Sequence, residues 1–298
     1  MTDLFTVNLF NCDKRLHTYW RDIYSSTEHA QLIGLTETGD WAKADKNGNT
    51  FEPKRDAWNF TNHITYSSSK QKKPHHINSN AAKGVKILIN KGLSSFVTNI
   101  QTHKRGRMLS IDAIFPTGFK ISIAIVYQYT LSHRTRTSNT SQNKYRGIMN
   151  KIIHWIDKSK SQNMACILMG DFNAVIDPSQ RSGQQNSSDL QWQRIKTTIM
   201  QNTYVLLKGQ EWDPTWTSKV DQEWQARLDA ILVDRQLALT LQSYQSQDIE
   251  GTTSDHKRVE ISLNIKEAKW WSSNHTRIDW KLSSSKKRKF IEELGDKC

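Results

Sequence analysis

The chain has 298 residues, 36% apolar and 24% charged, which suits a soluble globular protein of one large or two ordinary domains and excludes a disordered one. Its net charge of +13 reads equally as the mark of a polyanionic partner (DNA, RNA or an anionic membrane surface) and as simple solubility. The widely spaced Cys12, Cys166 and Cys298 form neither a zinc motif nor a disulfide framework, and predict a reducing compartment.

Residues 4–10 read as a first strand. Leu16, Trp20 and Ile23 at helical spacing predict a helix over 14–27, and residues 31–37 read as a second strand. From there to Lys83 the chain is polar and too long for a plain connector; such stretches carry function or hold short elements of their own. Alternation of period two follows at Val85, Ile87 and Ile89, and at Leu109, Ile111, Ala113 and Phe115. After Pro116-Thr117-Gly118 it resumes at Ile121, Ile123 and Ile125, so the last two runs predict a hairpin. Residues 129–142, rich in Ser, Thr and Arg, read as an exposed loop.

Tyr145, Ile148, Met149, Ile152, Trp155 and Ile156 share one face of a predicted helix over 143–158. Met164 to Gly170 is an apolar strand in which Cys166 reads as a small buried hydrophobe. Leu190, Ile195 and Ile199 suggest another helix, and short strands follow near 203–207, 214–217, 226–233 and 256–264. Helices interrupt the strands rather than following each one, which predicts two packed sheets flanked by helices, an α+β sandwich. The best apolar run, Ile121 to Tyr127, is too short to span a bilayer, and Met1 to Phe5 lacks the features of a signal peptide. From Lys266 the pattern dissolves, so we expect a domain over 1–265 and a basic linker or tail over 266–298. Lys286-Lys287-Arg288-Lys289 reads equally as a nuclear address, a nucleic-acid contact or a solvated linker.

Four segments end hydrophobic runs with acid or amide side chains: Leu35-Thr36-Glu37-Thr38, Gly170-Asp171-Phe172-Asn173, Arg227-Leu228-Asp229 and Ser254-Asp255-His256. Each alone has a local reading, such as an Asx turn at Asp171 and Asn173 or a surface ion pair of Arg227 with Asp229. Gathered at strand ends, carboxylates, an amide and a histidine suit a hard divalent cation and a water attacking a phosphodiester. A carboxylate such as Asp229 on the far ring nitrogen of His256 would fix its tautomer and favour imidazolium.

In this order the segments resemble the endonuclease/exonuclease/phosphatase superfamily, matching at Asn8, Glu37, Tyr127, Gly170-Asp171-Phe172-Asn173, Arg227-Leu228-Asp229 and Ser254-Asp255-His256. Gly84-Val85-Lys86-Ile87-Leu88-Ile89, Pro214-Thr215-Trp216-Thr217 and the stretch from Arg227 to Leu232 look most like the endonuclease domain of non-LTR (LINE-type) retrotransposons. After its first Asn the family reads N-x-N-G or N-x-D-G, where this chain has Asn8-Leu9-Phe10-Asn11; Gln128-Tyr129 stands where Ala-Pro usually follows the Tyr.

The resemblance implies a four-layer αββα sandwich of two mixed sheets, and a nuclear or cytoplasmic DNA endonuclease dependent on Mg²⁺, or on Mn²⁺. Its products would be a 3′-hydroxyl and a 5′-phosphate. It implies Glu37 as metal ligand with Asp255 close by, Asp171 taking a proton from the attacking water, and Asn173 orienting that water. His256, held by Asp229, would stabilise the phosphorane charge, while Tyr127 and Asn8 position the phosphate or the carboxylates. Asp171 and His256 both remain candidates for the general base. Double-stranded DNA is the expected partner, with the RNA template of a retroelement as a second. Lys72, Lys73, Arg134, Arg136 and Trp216 are the candidate DNA contacts. An abasic-site repair nuclease and a catalytically dead nucleic-acid-binding module stay open as alternatives.

Overall fold

The structure is a computed structural model that describes residues 4–13, 16–38, 62–68, 84–102, 106–116, 118–131, 139–175, 177–183, 186–190, 192, 204–205 and 213–264. Its strands are β1 (Leu4–Asn11), β2 (Leu32–Thr36), β3 (His63–Ser67), β4 (Lys86–Asn90), β5 (Val97–Thr102), β6 (Met108–Ile114) and β7 (Lys120–Tyr127). They continue with β8 (Ala165–Asp171), β9 (Tyr204–Val205), β10 (Trp216–Thr217), β11 (Gln225–Ala226), β12 (Asp229–Val233), β13 (Leu241–Gln247) and β14 (Arg258–Asn264). The named helices are α1 (Leu16–Thr27), α2 (Lys91–Ser94), α3 (Asn139–Ser161) and α4 (Arg235–Ala238), and residues 187–190 are also helical.

One six-stranded sheet runs β13-β14-β1-β2-β4-β3 and the other β5-β6-β7-β8-β12-β9, with β10 and β11 as a separate two-stranded ribbon. Both sheets are mixed, because β1 with β2 and β7 with β8 pair in parallel while their other neighbours are antiparallel. Strand alternation sends one set of side chains into the space between the sheets. Val7, Leu9, Leu32, Ile87 and Ile261 meet Ile123, Ile125, Ile167, Met169 and Ile231 there. Gly34 belongs to this close approach: a Cβ on it would stand 2.6 Å from Met169 Sδ.

The outer faces are covered by helices. Tyr19, Ile23 and Tyr24 of α1 pack on Phe10, Ile33, Leu35 and Leu88. Tyr145, Ile148, Met149, Ile152, Trp155 and Ile156 of α3 pack on Met108, Ala124, Cys166, Leu168 and Leu232 of the other sheet. The result is the four-layer α+β sandwich. Cys166 is buried there, and burial pushes its thiol up to about 12.

Several elements differ from the sequence expectation. The long polar stretch before Lys83 contains β3. Helix α3 starts at Asn139, inside the segment read as loop, because its first turn is polar and only the later turns face the sheet. Strands β5 and β13 carry little alternation because they are sheet edges, held by backbone pairing on one side. The single strand expected over 226–233 is split at Arg227-Leu228, where the chain passes from the ribbon into the sheet. The helix suggested by Leu190, Ile195 and Ile199 is present at residues 187–190, whereas Ile195 and Ile199 lie outside the described residues. So does the tail 266–298.

Candidate active site

The ends of β7, β8 and the start of β12 carry Tyr127, Asp171 and Asp229. Pairing register sets Tyr127 opposite Asp171 and Asp171 opposite Asp229, so the three form one cross-strand row. Each sits two residues from Ile125, Met169 or Ile231, on the face that looks into the space between the sheets. Gly170 makes this row possible, because a Cβ there would lie 2.0 Å from Val126 O on the neighbouring strand.

The other sheet supplies the opposing groups. Asn11 Nδ2 donates to Asp171 Oδ2 at 2.8 Å, and the backbone N–H of Asn173 donates to Asp171 Oδ1 at 2.8 Å. The Tyr127 hydroxyl donates to Glu37 Oε1 at 2.9 Å. Asp229 Oδ2 lies 2.6 Å from His256 Nδ1, and the Asp229 backbone N–H is held by Thr215 Oγ1 at 2.9 Å. Ser254 ties the corner together: its hydroxyl donates to Asn11 O at 3.3 Å and accepts the His256 N–H at 3.1 Å. Glu37 (φ 51°) and Asn173 (φ 49°) both adopt left-handed backbone, a cost that tends to collect at functional sites.

Burial sets the electrostatics. It pushes the Asp171 carboxyl well above the usual carboxylate range, and the Asp229 charge adds to the rise; His256 and the Asn173 N–H partly oppose it. Burial also raises Tyr127, helped by the Asp171 and Glu37 charges, so its phenol stays protonated as a donor. Burial alone would lower His256, but the hydrogen-bonded Asp229 carboxylate, with Asp171 behind it, brings it up to about 10.

Ligand atoms of Asp171, Asp229 and His256 lie within 4.8 Å of one another. Asp229 Oδ1 is buried without a hydrogen-bond partner among the described residues, an expensive state for a carboxylate oxygen. A buried, oxygen-rich set with an orphaned carboxylate oxygen fits a hard divalent cation.

The structure therefore brings together Glu37, Tyr127, Asp171, Asn173, Asp229 and His256. Asn8 is not among them. It shares a strand face with Phe10, under α1, whereas Asn11 shares the inter-sheet face with Val7 and Leu9. Asn8 is fully buried, opposite Glu260 and Ile33, and its amide has no hydrogen-bond partner among the described residues. Asn11 is thus the strand-end amide that reaches the site, and Phe10 packs in the α1 interface.

Asp255 stands outside the Asp171–Asp229–His256 group. It accepts from Trp216 Nε1 at 3.0 Å and lies 3.4 Å from Lys219 Nζ, which also reaches Asp13 at 2.9 Å. Trp216 is half-buried against Val175, Ala226 and Leu228, with its indole N–H engaged by Asp255. Arg227 points elsewhere, toward Asp213 and Tyr244. Lys72, Lys73, Arg134 and Arg136 lie outside the described residues. Sequence reasoning missed Asn11, whose N-x-D spacing was a usable signal. It also missed Arg107, whose burial is invisible in the basic run Lys104-Arg105-Gly106-Arg107.

Comparison with known proteins gives a consistent picture. The family model described as "Endonuclease/Exonuclease/phosphatase family" matches residues 6–256. A search of curated protein sequences finds no match. Among solved structures, an AP endonuclease from Leishmania major, LMAP, is similar with TM-score 0.66 at 13% identity, over 87% of each chain. The endonuclease domain of TRAS1, a telomere-specific non-LTR retrotransposon, gives 0.55 at 12% identity over 87% of this chain and 98% of that one. The 3′-5′ exonuclease NExo from Neisseria meningitidis gives 0.60 at 14% identity over 87% and 99%.

Proposed function

Since the chain belongs to the endonuclease/exonuclease/phosphatase family, we propose that it is a divalent-metal-dependent endonuclease that nicks double-stranded DNA, leaving a 3′-hydroxyl and a 5′-phosphate. One observation carries this reading: Tyr127–Glu37, Asn11–Asp171 and Asp229–His256 are three hydrogen-bonded pairs converging where the two sheets meet. Glu37 is the residue that would hold Mg²⁺ or Mn²⁺, beside the carboxylate cluster of Asp171 and Asp229. When bound, the cation neutralises charge on the phosphoryl oxygens.

The chain's own groups do the rest. Asp171 is more basic than an ordinary carboxylate, which suits it to take a proton from the attacking water at near-neutral pH. His256 is the poorer base, since an imidazole brought up to about 10 is protonated at neutral pH and offers no lone pair. With Nδ1 on Asp229, its Nε2–H is left to stabilise charge developing on phosphorus-bound oxygen. Tyr127 holds Glu37 in orientation, and Asn11 does the same for Asp171.

The net charge of +13 supports a polyanionic substrate, with Lys72, Lys73, Arg134 and Arg136 as its expected phosphate contacts. Similarity to the TRAS1 domain, together with the sequence stretches around Trp216 and Asp229, supports an element-encoded nicking enzyme acting in the nucleus. An RNA template partner has no support among the described residues. No helix among the described residues is long and apolar enough to cross a membrane.

The test is an end-labelled intact duplex and a matching duplex with one abasic site, each incubated with Mg²⁺. Nicks in the intact duplex that a polymerase extends without prior treatment are expected. Cleavage confined to the abasic duplex would replace this reading with a repair nuclease. Tight binding without cleavage of either would leave only a binding module.

A further inference from the structure

We infer that Arg107 is a positioning residue for the proposed cleavage, an inference that rests on that reading of the site. Arg107 lies just before β6 and only 3% of its surface is exposed. Its Nη1 donates to two successive carbonyls, Tyr127 O and Gln128 O, each at 3.1 Å. Its guanidinium stacks 3.8 Å from the Tyr129 ring centroid and 4.6 Å from that of Tyr127. The Arg107 carbonyl in turn accepts the Tyr127 N–H at 2.8 Å. Among the described residues Arg107 makes no ion pair within contact distance; two carbonyls and two aromatic faces hold its guanidinium, with the Glu37 and Asp171 charges nearby. That is a costly arrangement if its purpose were only to fill space.

The carbonyl of Gln128 is where this support reaches the site. It accepts from Arg107 and also from Asn173 Nδ2 at 3.0 Å, while the Gln128 N–H donates to Asp171 O at 2.8 Å. Asn173 Oδ1 accepts from the Thr130 hydroxyl at 3.0 Å, so both ends of that amide are fixed by the segment Arg107 braces. The neighbouring residue, Tyr127, carries the hydroxyl that holds Glu37. Arg107 thus orients two arms of the site through one piece of backbone without touching the reacting atoms. The two hydrogens of Nη1 reach the two adjacent carbonyls while the flat guanidinium stacks on the rings, and a lysine ammonium would supply the charge as a point on a flexible stem, without the plane.

The experiment compares wild type with Arg107→Lys and Arg107→Met on intact duplex DNA with Mg²⁺, and records side-chain amide NMR spectra of the metal-free proteins. Misplacement of positioned groups at the ångström level costs up to about 100-fold in rate, so kcat should fall about 10- to 100-fold in both variants with KM changed by less than about threefold. The Asn173 Nδ2 amide signals should shift, while those of the distant Asn99, bonded to Asp112, stay in place. Wild-type rates in Arg107→Lys would overturn the inference, because charge without the planar guanidinium would then suffice. A raised KM at unchanged kcat in either variant would also overturn it, marking Arg107 as a DNA contact. Should Arg107→Met fail to fold, Arg107→Lys still decides by the same measurements. Absence of cleavage by wild type would count against the proposed function alone. The Asn173 signals would then judge the positioning by themselves, and an unmoved Asn173 amide would end it.

Discussion

Replacing Asp229 by Asn keeps the shape of the side chain and removes its charge. In the wild type, burial works against a charged His256, and the Asp229 carboxylate at 2.6 Å more than reverses that effect, raising the imidazole to about 10. With the charge gone, burial is opposed only by the Asp171 and Asp255 charges, and the imidazole should titrate well below about 10. Each unit of that fall corresponds to about 1.4 kcal/mol of lost preference for imidazolium. The sign for stability follows. A folded-state value raised above 6.5 contributes stability that is complete below about pH 6.5 and fades as pH rises through about 10. Asp229→Asn should therefore destabilise the metal-free protein most near pH 6 and least near pH 10. Imidazole proton and nitrogen shifts of His256, followed by NMR against pH in both proteins, measure this directly. A wild-type His256 titrating near 6.5, or one indifferent to Asp229→Asn, would rule out His256 as a cation fixed by Asp229.

Three further outcomes follow from the packing. Asn11→Ala should cut DNA cleavage about 10- to 100-fold by releasing Asp171, whereas Asn8→Val should leave cleavage intact, since Asn8 lies on the opposite strand face; gel-based nicking rates separate the two. Gly170→Ala places a Cβ against Val126 backbone and should cost about 3 kcal/mol or more. That would lower Tm by roughly 6–12 °C in calorimetry, with loss of cleavage because β7 and β8 carry Tyr127 and Asp171. His63 is buried, with Nε2 donating to Ala30 O at 2.7 Å and Nδ1 taking the Tyr24 hydroxyl at 3.1 Å, and burial lowers its pKa. Its contribution is present above pH 6.5 and lost as pH falls through the depressed value, so denaturant midpoints should drop between pH 7.5 and 5.5 more in wild type than in His63→Gln.

The parts of the site that were legible in the sequence share one property. Asp171, Asn173, Asp229 and His256 each stand at the boundary of an apolar run, where a buried strand must deliver its next polar residue to a sheet end. Asn8 was misread because its place depends on which strand face the second sheet covers, and alternation alone leaves that open. Val7, Leu9 and Asn11 face the other sheet; Thr6, Asn8 and Phe10 do not. Arg107 was illegible for a different reason: a basic residue in a basic run reads as solvated, and only the rings of Tyr127 and Tyr129 reveal it as buried. Edge strands such as β13, Leu241–Gln247, pair through backbone on one side and leave most of their side chains partly exposed, so their composition stays polar and no alternation announces them.

Supercoiled plasmid incubated with Mg²⁺ and either wild type or Asp171→Asn tests the central claim most directly. Open-circular product is expected with wild type, none after chelation of the metal, and a rate lower by about 100- to 10,000-fold for the variant. Equal nicking by the two proteins, or none by wild type, would contradict it.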